Sequence, residues 1–115
     1  MKTFLVRLKW RCVWSWHGWV DAWRNEHSFR SWVWANLVSA VAAFWLLDGG
    51  ELALILALGV LVLAAELMNT ALERAVDLIT TEQNDLAKRA KDAGSAAVAV
   101  SAIAAGIAWI SVLWL

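Results

Sequence analysis

The apolar positions of this chain fall into three long runs, preceded by an N-terminal segment of a different kind. Ser31 to Leu47 is seventeen residues without a charge, and Ala93 to Leu115 is twenty-three. Between them, Leu52 to Ala65 is apolar and continues through Glu66 into a mixed stretch that ends near Ile79. A membrane-spanning helix needs about 17–25 predominantly apolar residues. The third run meets that length outright and the first just meets it. The second meets it only with Glu66 inside the membrane. A lipid-exposed backbone must satisfy its own hydrogen bonds, so every element reads as helix. The predicted fold is all-α, with transmembrane helices at 31–47, 52–79 and 93–115. The glycine pair in Asp48-Gly49-Gly50-Glu51 suits a tight helix-to-helix turn. Residues 80–92 read as a loop.

The segment 1–29 alternates cations with indoles. Lys2, Arg7, Lys9, Arg11, Arg24 and the adjoining Arg30 are interleaved with Trp10, Trp14, Trp16, Trp19 and Trp23. On a helical wheel Leu5, Leu8, Trp16, Trp19 and Trp23 share one side, while Arg7, Arg11, His17, Asp21 and Arg24 lie mostly on the other. That pattern predicts an amphipathic helix lying in the membrane interface, with Trp rings at headgroup depth and cations toward water. Five Trp and the lack of an apolar central region argue against a cleaved signal peptide.

Composition sharpens this picture. Residues of the hydrophobic set make up 62% of the chain and charged residues 17%, with ten Trp and no Pro. A soluble domain of this size carries about 45–50% apolar and about 25% charged residues, and its large surface fraction leaves no room to bury the excess. One membrane domain over 1–115 follows. Ten basic residues balance ten acidic ones, which argues against a nucleic-acid partner held by net positive charge. The lone Cys12 and two histidines exclude an internal disulfide and a zinc site. Six of the basic residues precede the first span, the 48–51 turn has none, and Arg74, Lys88, Arg89 and Lys91 lie between the second and third spans. The positive-inside rule then puts the N-terminus and the 80–92 loop in the cytoplasm and the C-terminus outside.

Chemistry concentrates at one place. Glu66, Asn69, Glu73 and Asp77 recur at intervals of three and four, forming one helical stripe. An ionisable residue inside a span costs at least ~2.5 kcal/mol and marks a functional site by default. Interhelical polar glue is the plainer reading, but neither of the other spans holds a Lys or Arg to pair with Glu66. Lys88, Arg89, Lys91 and Asp92 precede a small-residue stretch, Gly94-Ser95-Ala96-Ala97, and suit a phosphate-bearing ligand as well as they suit plain topological anchoring. Glu26 and Glu73 fall near the same membrane surface. Two carboxylates with polyphosphate oxygens are a usual way to hold Mg²⁺, and the deeper Glu66 suits a base that takes a proton from a lipid hydroxyl. The arrangement predicts phosphoryl transfer from a nucleotide to a lipid alcohol. Neither GxxxxGK[ST] nor GxGxxG occurs, so a P-loop or protein-kinase site is excluded.

These residues resemble the small integral-membrane diacylglycerol kinases of bacteria. The likeness rests on Ser15-Trp16-His17-Gly18 with Ala22 to Arg30, on Glu66-Leu67-Met68-Asn69-Thr70-Ala71-Leu72-Glu73 with Val76-Asp77, and on Arg89 to Val98. It implies a homotrimer of three-span protomers in the bacterial inner membrane, using ATP and Mg²⁺ to convert diacylglycerol to phosphatidic acid. By motif position Glu66 would be the general base, and Glu26 and Glu73 would hold the metal that bridges ATP. Lys91 and Asp92 would contact ATP, with Arg7, Trp14, Glu82, Gln83 and Asn84 beside them. Asn69 and Ser95 would line the site near the lipid hydroxyl, and Arg7, Arg30, Trp23 and Trp109 would lie along the lipid. Trp14 stands where the best-known members carry Tyr, and Glu82-Gln83-Asn84 where they carry Glu-Tyr-His. Relatives that phosphorylate undecaprenol are the alternative within the family, and a non-catalytic membrane assembly protein is the alternative outside it.

Overall fold

The computed structural model describes residues 2–115; Met1, the first residue of the expected surface helix, lies outside them. Four helices follow one another: α1 (Lys2–Asn25), α2 (His27–Leu46), α3 (Gly49–Ile79) and α4 (Asp85–Trp114). No strand occurs among the described residues. With no proline to break the runs, the helices end only where local groups end them.

The first break is sharp. Glu26 is extended, at φ −117° and ψ 106°, and turns α1 into α2. The surface helix therefore stops four residues short of the expected boundary at 29. Arg30, one turn into α2, donates from Nη1 to the carbonyls of Trp23 (2.7 Å) and Arg24 (3.2 Å). The guanidinium thereby satisfies carbonyls that the end of α1 leaves without helical partners. At the next turn only Gly49 takes a positive φ, +53°, while Gly50 is already helical. The third connection is shorter than the sequence suggests. Asn84 Oδ1 accepts from the backbone N–H groups of Leu86 (2.9 Å) and Ala87 (3.1 Å), capping α4. Helix thus replaces loop from Asp85 onward, and only 80–84 remain as the connection.

α3 lies between α2 and α4 and packs along both, while α1 meets α2 and α3 near the α1–α2 corner. One apolar cluster joins Ala22, Phe29 and Leu63 under Trp32, Val33 and Leu67. Trp19 meets Phe29 edge-on at 5.1 Å between ring centroids. A second cluster, at the other end, joins Ala43, Ile55 and Ala108. There Trp109 Nε1 donates to Ser39 Oγ at 2.9 Å, tying α4 to α2. Small residues set the close approaches: Gly59 faces the Asn36 amide, and Gly94 faces Asn69.

The radius of gyration, 17.1 Å, exceeds the about 13 Å of a compact domain of this length. α3 and α4 are each long and apolar enough to cross a membrane, yet only 22% and 11% of their most apolar stretches are buried. A soluble protein's core helix would be mostly covered; these face outward. α2 has no stretch as apolar as those of α3 and α4, because His27, Arg30, Asn36, three serines and three tryptophans dilute its hydropathy. At 1.5 Å per residue α3 is about 46 Å long, against a hydrocarbon thickness of about 30 Å. If hydrocarbon begins near Leu52, it ends near Leu72, which leaves Glu66 about 9 Å inside and Glu73 at the boundary.

A Cβ added at Gly94 would sit 2.3 Å from Asn69 Oδ1 and 2.8 Å from Leu72 Cδ2. Gly94→Ala is expected to push α4 off α3 and destabilise the fold by about 1–3 kcal/mol. Thermal unfolding in detergent checks it; an unchanged Tm would show that the wedge tolerates the methyl group.

Candidate functional site

The site grows from the half of α3 beyond Leu63. Glu66 is 4% exposed, although it is a carboxylate on an apolar helix. Its Oε1 accepts a hydrogen bond from Ser28 Oγ in the first turn of α2. It has no ion-pair partner and no other hydrogen bond among the described residues. One turn on, Asn69 Nδ2 donates to Glu73 Oε1 at 3.2 Å. Asn69 Oδ1 is buried against Gly94 without a partner. The bare Cα at 94 is what lets the amide enter between α3 and α4. Ser95, next in the chain, is exposed.

Glu26 reaches the same level from the α1–α2 corner. Its Oε1 accepts from Arg74 Nη2 at 3.1 Å, while Arg74 Nη1 donates to Asp21 Oδ2 on α1. Arg74 follows Glu73 on α3, so its fork ties Glu26 and Asp21 to the residue next to Glu73. The hydrogen bond from Arg74 holds the Asp21 carboxyl below the usual carboxylate range. Among the described residues no three His, Cys, Asp or Glu side chains converge as a metal cage. Mg²⁺ does not require one, since it retains waters and takes one or two carboxylates plus substrate phosphates. Glu26 and Glu73 each commit Oε1 to an internal bond and offer hard oxygen donors. They fit the protein's share of such a site.

The 80–84 connection and the start of α4 enclose a cleft of about 550 Å³, lined among others by Glu82, Gln83, Asn84, Lys88, Lys91 and Asp92. Five of the residues expected at the nucleotide are thus brought together. Lys91 Nζ donates to Asp77 Oδ1 on α3 (2.6 Å), and Lys88 Nζ to Asp92 Oδ2 (2.7 Å). Other expected positions lie apart. Arg7 and Trp14 are exposed on α1, which does not approach α4. Trp23 is partly exposed beside Trp34, and Arg30 caps α1. Trp109 belongs to the cluster at the opposite end of the bundle.

Sequence reasoning passed over Ser28, Asp21 and Arg74. Ser28 gives no periodic signal, because its partner lies 38 residues away on another helix. Arg74 was legible only as one of the basic residues that set topology.

The fold and this cluster define a helical membrane protein with several carboxylates gathered toward one end of its bundle. The family model of prokaryotic diacylglycerol kinase matches residues 13–113, and the chain belongs to that family of lipid kinases. It is 43% identical to a diacylglycerol kinase of Escherichia coli over 101 residues, covering 87% of this chain and 83% of that protein. It is 38% identical to a diacylglycerol kinase of Pseudomonas aeruginosa over 113 residues, covering 97% and 92%. A shorter match, 58% identical over 38 residues and 33% of the chain, is to an undecaprenol kinase of Bacillus subtilis.

The Asp21–Arg74 contact carries a pH prediction. A carboxyl depressed by its partner stabilises the fold above the ordinary range near pH ~4. That contribution is lost as pH falls through the depressed value. Asp21→Asn is expected to lower Tm at neutral pH, with the gap from wild type closing as the solution is acidified below pH ~4. Paired melting curves across that range check it, and a gap independent of pH would remove the role of the charge.

Proposed function

We propose that the chain transfers the γ-phosphoryl group of ATP to the primary hydroxyl of diacylglycerol, forming phosphatidic acid at the inner face of a bacterial membrane. The observation that carries this reading is Glu66, a buried carboxylate without a counter-ion that already accepts a hydrogen bond from an alcohol group. A hydroxyl is a weak nucleophile until a positioned base takes its proton. Glu66 serves as that base for a lipid that enters along α3 from the bilayer, where its acyl chains remain. Asn69 and Ser95 flank the hydroxyl from α3 and α4. Trp23, Arg30 and Trp109 meet the rest of the lipid.

The nucleotide enters from the aqueous side, at the cleft between 80–84 and α4. Lys91 grips phosphate oxygens as a compact charge, exchanging its bond to Asp77 for the ligand. Asp92 with Glu82, Gln83 and Asn84 contacts the nucleotide; α1 does not approach α4 within one chain, so Arg7 and Trp14 would reach it only from a neighbouring copy. Glu26 and Glu73 hold Mg²⁺, which neutralises the polyphosphate when bound. α2, with 20 residues and about 30 Å of length, makes the third crossing. The uneven distribution of basic residues supports a cytoplasmic N-terminus and a periplasmic C-terminus. The homotrimer rests on the likeness to the family alone.

The local likeness to an undecaprenol kinase favours a second acceptor, a polyprenol with the same primary alcohol. Phosphate transfer from labelled ATP, measured in mixed micelles with diacylglycerol and undecaprenol in parallel, is expected to favour diacylglycerol. Label in the polyprenol alone would reassign the substrate. Glu66→Gln keeps hydrogen bonding but loses proton acceptance, so turnover is expected to fall by about 10²–10⁴-fold. The KM for ATP should hardly move, since Glu73 lies about 10 Å further along the helix axis. Near-normal turnover in this variant would reject the base.

Lys91→Ala is expected to raise the KM for ATP and reduce turnover, leaving the dependence on lipid unchanged. Lys91→Arg should restore it only in part, because the planar fork differs in shape from an ammonium. ATP titration at saturating lipid checks this. Superimposable curves for wild type and Lys91→Ala would make the basic tract a topology signal alone.

A further inference from the structure

We propose that Ser28 is a positioning residue for Glu66, a role that rests on reading Glu66 as the base. The two side chains come from different helices. Ser28 stands in the first turn of α2, exposed, and sends its Oγ–H across to Oε1 of a carboxylate otherwise closed off. No second donor reaches Glu66 among the described residues. The neighbouring hydroxyl cannot substitute, because Ser31 Oγ donates back to His27 O within its own helix at 3.2 Å.

The consequence is orientational. The terminal torsion of a glutamate is broad, so an unbonded carboxylate would sample many directions. A hydrogen bond to one oxygen fixes its plane and leaves Oε2 to receive the proton of the acceptor alcohol. Charge-assisted bonds of this kind are among the strong ones. The corner at Glu26 makes the contact possible, since it starts α2 at the depth of Glu66 while keeping Ser28 within reach of the lipid–water boundary. The same turn of chain therefore presents Glu26 to the phosphate side and Ser28 to the proton side.

Thr and Val have nearly the same shape and differ by the hydroxyl, which makes them the decisive pair at position 28. Both are compared in the full-length protein in mixed micelles, with turnover, KM for ATP and Tm measured for each. Ser28→Thr is expected to retain most of the turnover. Ser28→Val is expected to fall about ten- to hundredfold below it, the cost of a lost hydrogen bond to a charged group. KM for ATP and Tm should agree between the two. In a Glu66→Gln background, assayed at raised enzyme concentration, the Thr–Val difference is expected to disappear, since residues acting through one group are not additive. Equal turnover for the Thr and Val variants, beside an inactive Glu66→Gln, would overturn the positioning role and leave the base intact. The same Thr–Val ratio in the Glu66→Gln background would also overturn it. Normal turnover in Glu66→Gln alone would remove the base, and the positioning role with it.

Discussion

A carboxylate carried inside an apolar helix, with no cation to answer it, is the constraint on which the rest of this structure depends. Burying an unpaired charge is expensive, and the usual remedies are a counter-ion or a set of hydrogen bonds. The first and third uncharged runs offer no cation to Glu66, and the basic residues lie toward the ends of the helices. The remedy comes from outside α3. The α1–α2 corner has to stand at the level of Glu66 so that Ser28 can donate to it. Phe29, wholly buried against Ala22 and Leu63, fixes that corner in place by apolar packing. Arg74 fixes it again by charge, holding Asp21 and Glu26 from the next turns of α3.

The same end of the bundle shows how polar chemistry is accommodated between closely packed helices. Asn69 enters the α3–α4 seam only because Gly94 has no side chain. One of its amide atoms serves Glu73 and the other goes unpartnered. Buried polar atoms without partners are rare in folded proteins, and where they occur they demand a cause. At this place Asn69 stands between the buried Glu66 and Glu73, the residues to which the proposed function gives the roles of base and metal ligand. At the opposite end the packing is apolar around Ala43, Ile55 and Ala108, and the Trp109–Ser39 bond ties α4 to α2.

Charge in this chain is segregated along the membrane normal. Cations near the cleft are neutralised by acids on the same or an adjacent helix, Lys91 by Asp77 and Lys88 by Asp92. Exposed pairs of this kind contribute little to stability, which is what the proposed exchange of Asp77 for phosphate requires. The apolar flanks of α3 and α4 are the lipid-facing counterpart of that arrangement. The proposed function uses both, with a wet side for the polyanion and a dry side for the acyl chains.

Much of this was determined by the sequence by itself. Long uncharged runs dictate helices because no other backbone satisfies its hydrogen bonds in lipid, and that reasoning reaches α3 and α4 directly. The stripe Glu66, Asn69, Glu73 follows from helical spacing, and the family likeness is carried by contiguous motifs. Helix ends were less legible. Asn84 turns an expected loop into the first turns of α4, and Glu26 ends α1 early, because capping depends on a few side-chain bonds that periodicity does not register. What only the tertiary structure decided is which side chains meet across helices. Ser28 with Glu66, Arg74 with Asp21 and Glu26, and Asn69 with Gly94 are separated by 25 or more residues and depend on how helices are rotated about their axes. Helical periodicity specifies a face; it does not specify which residue of another helix that face will meet.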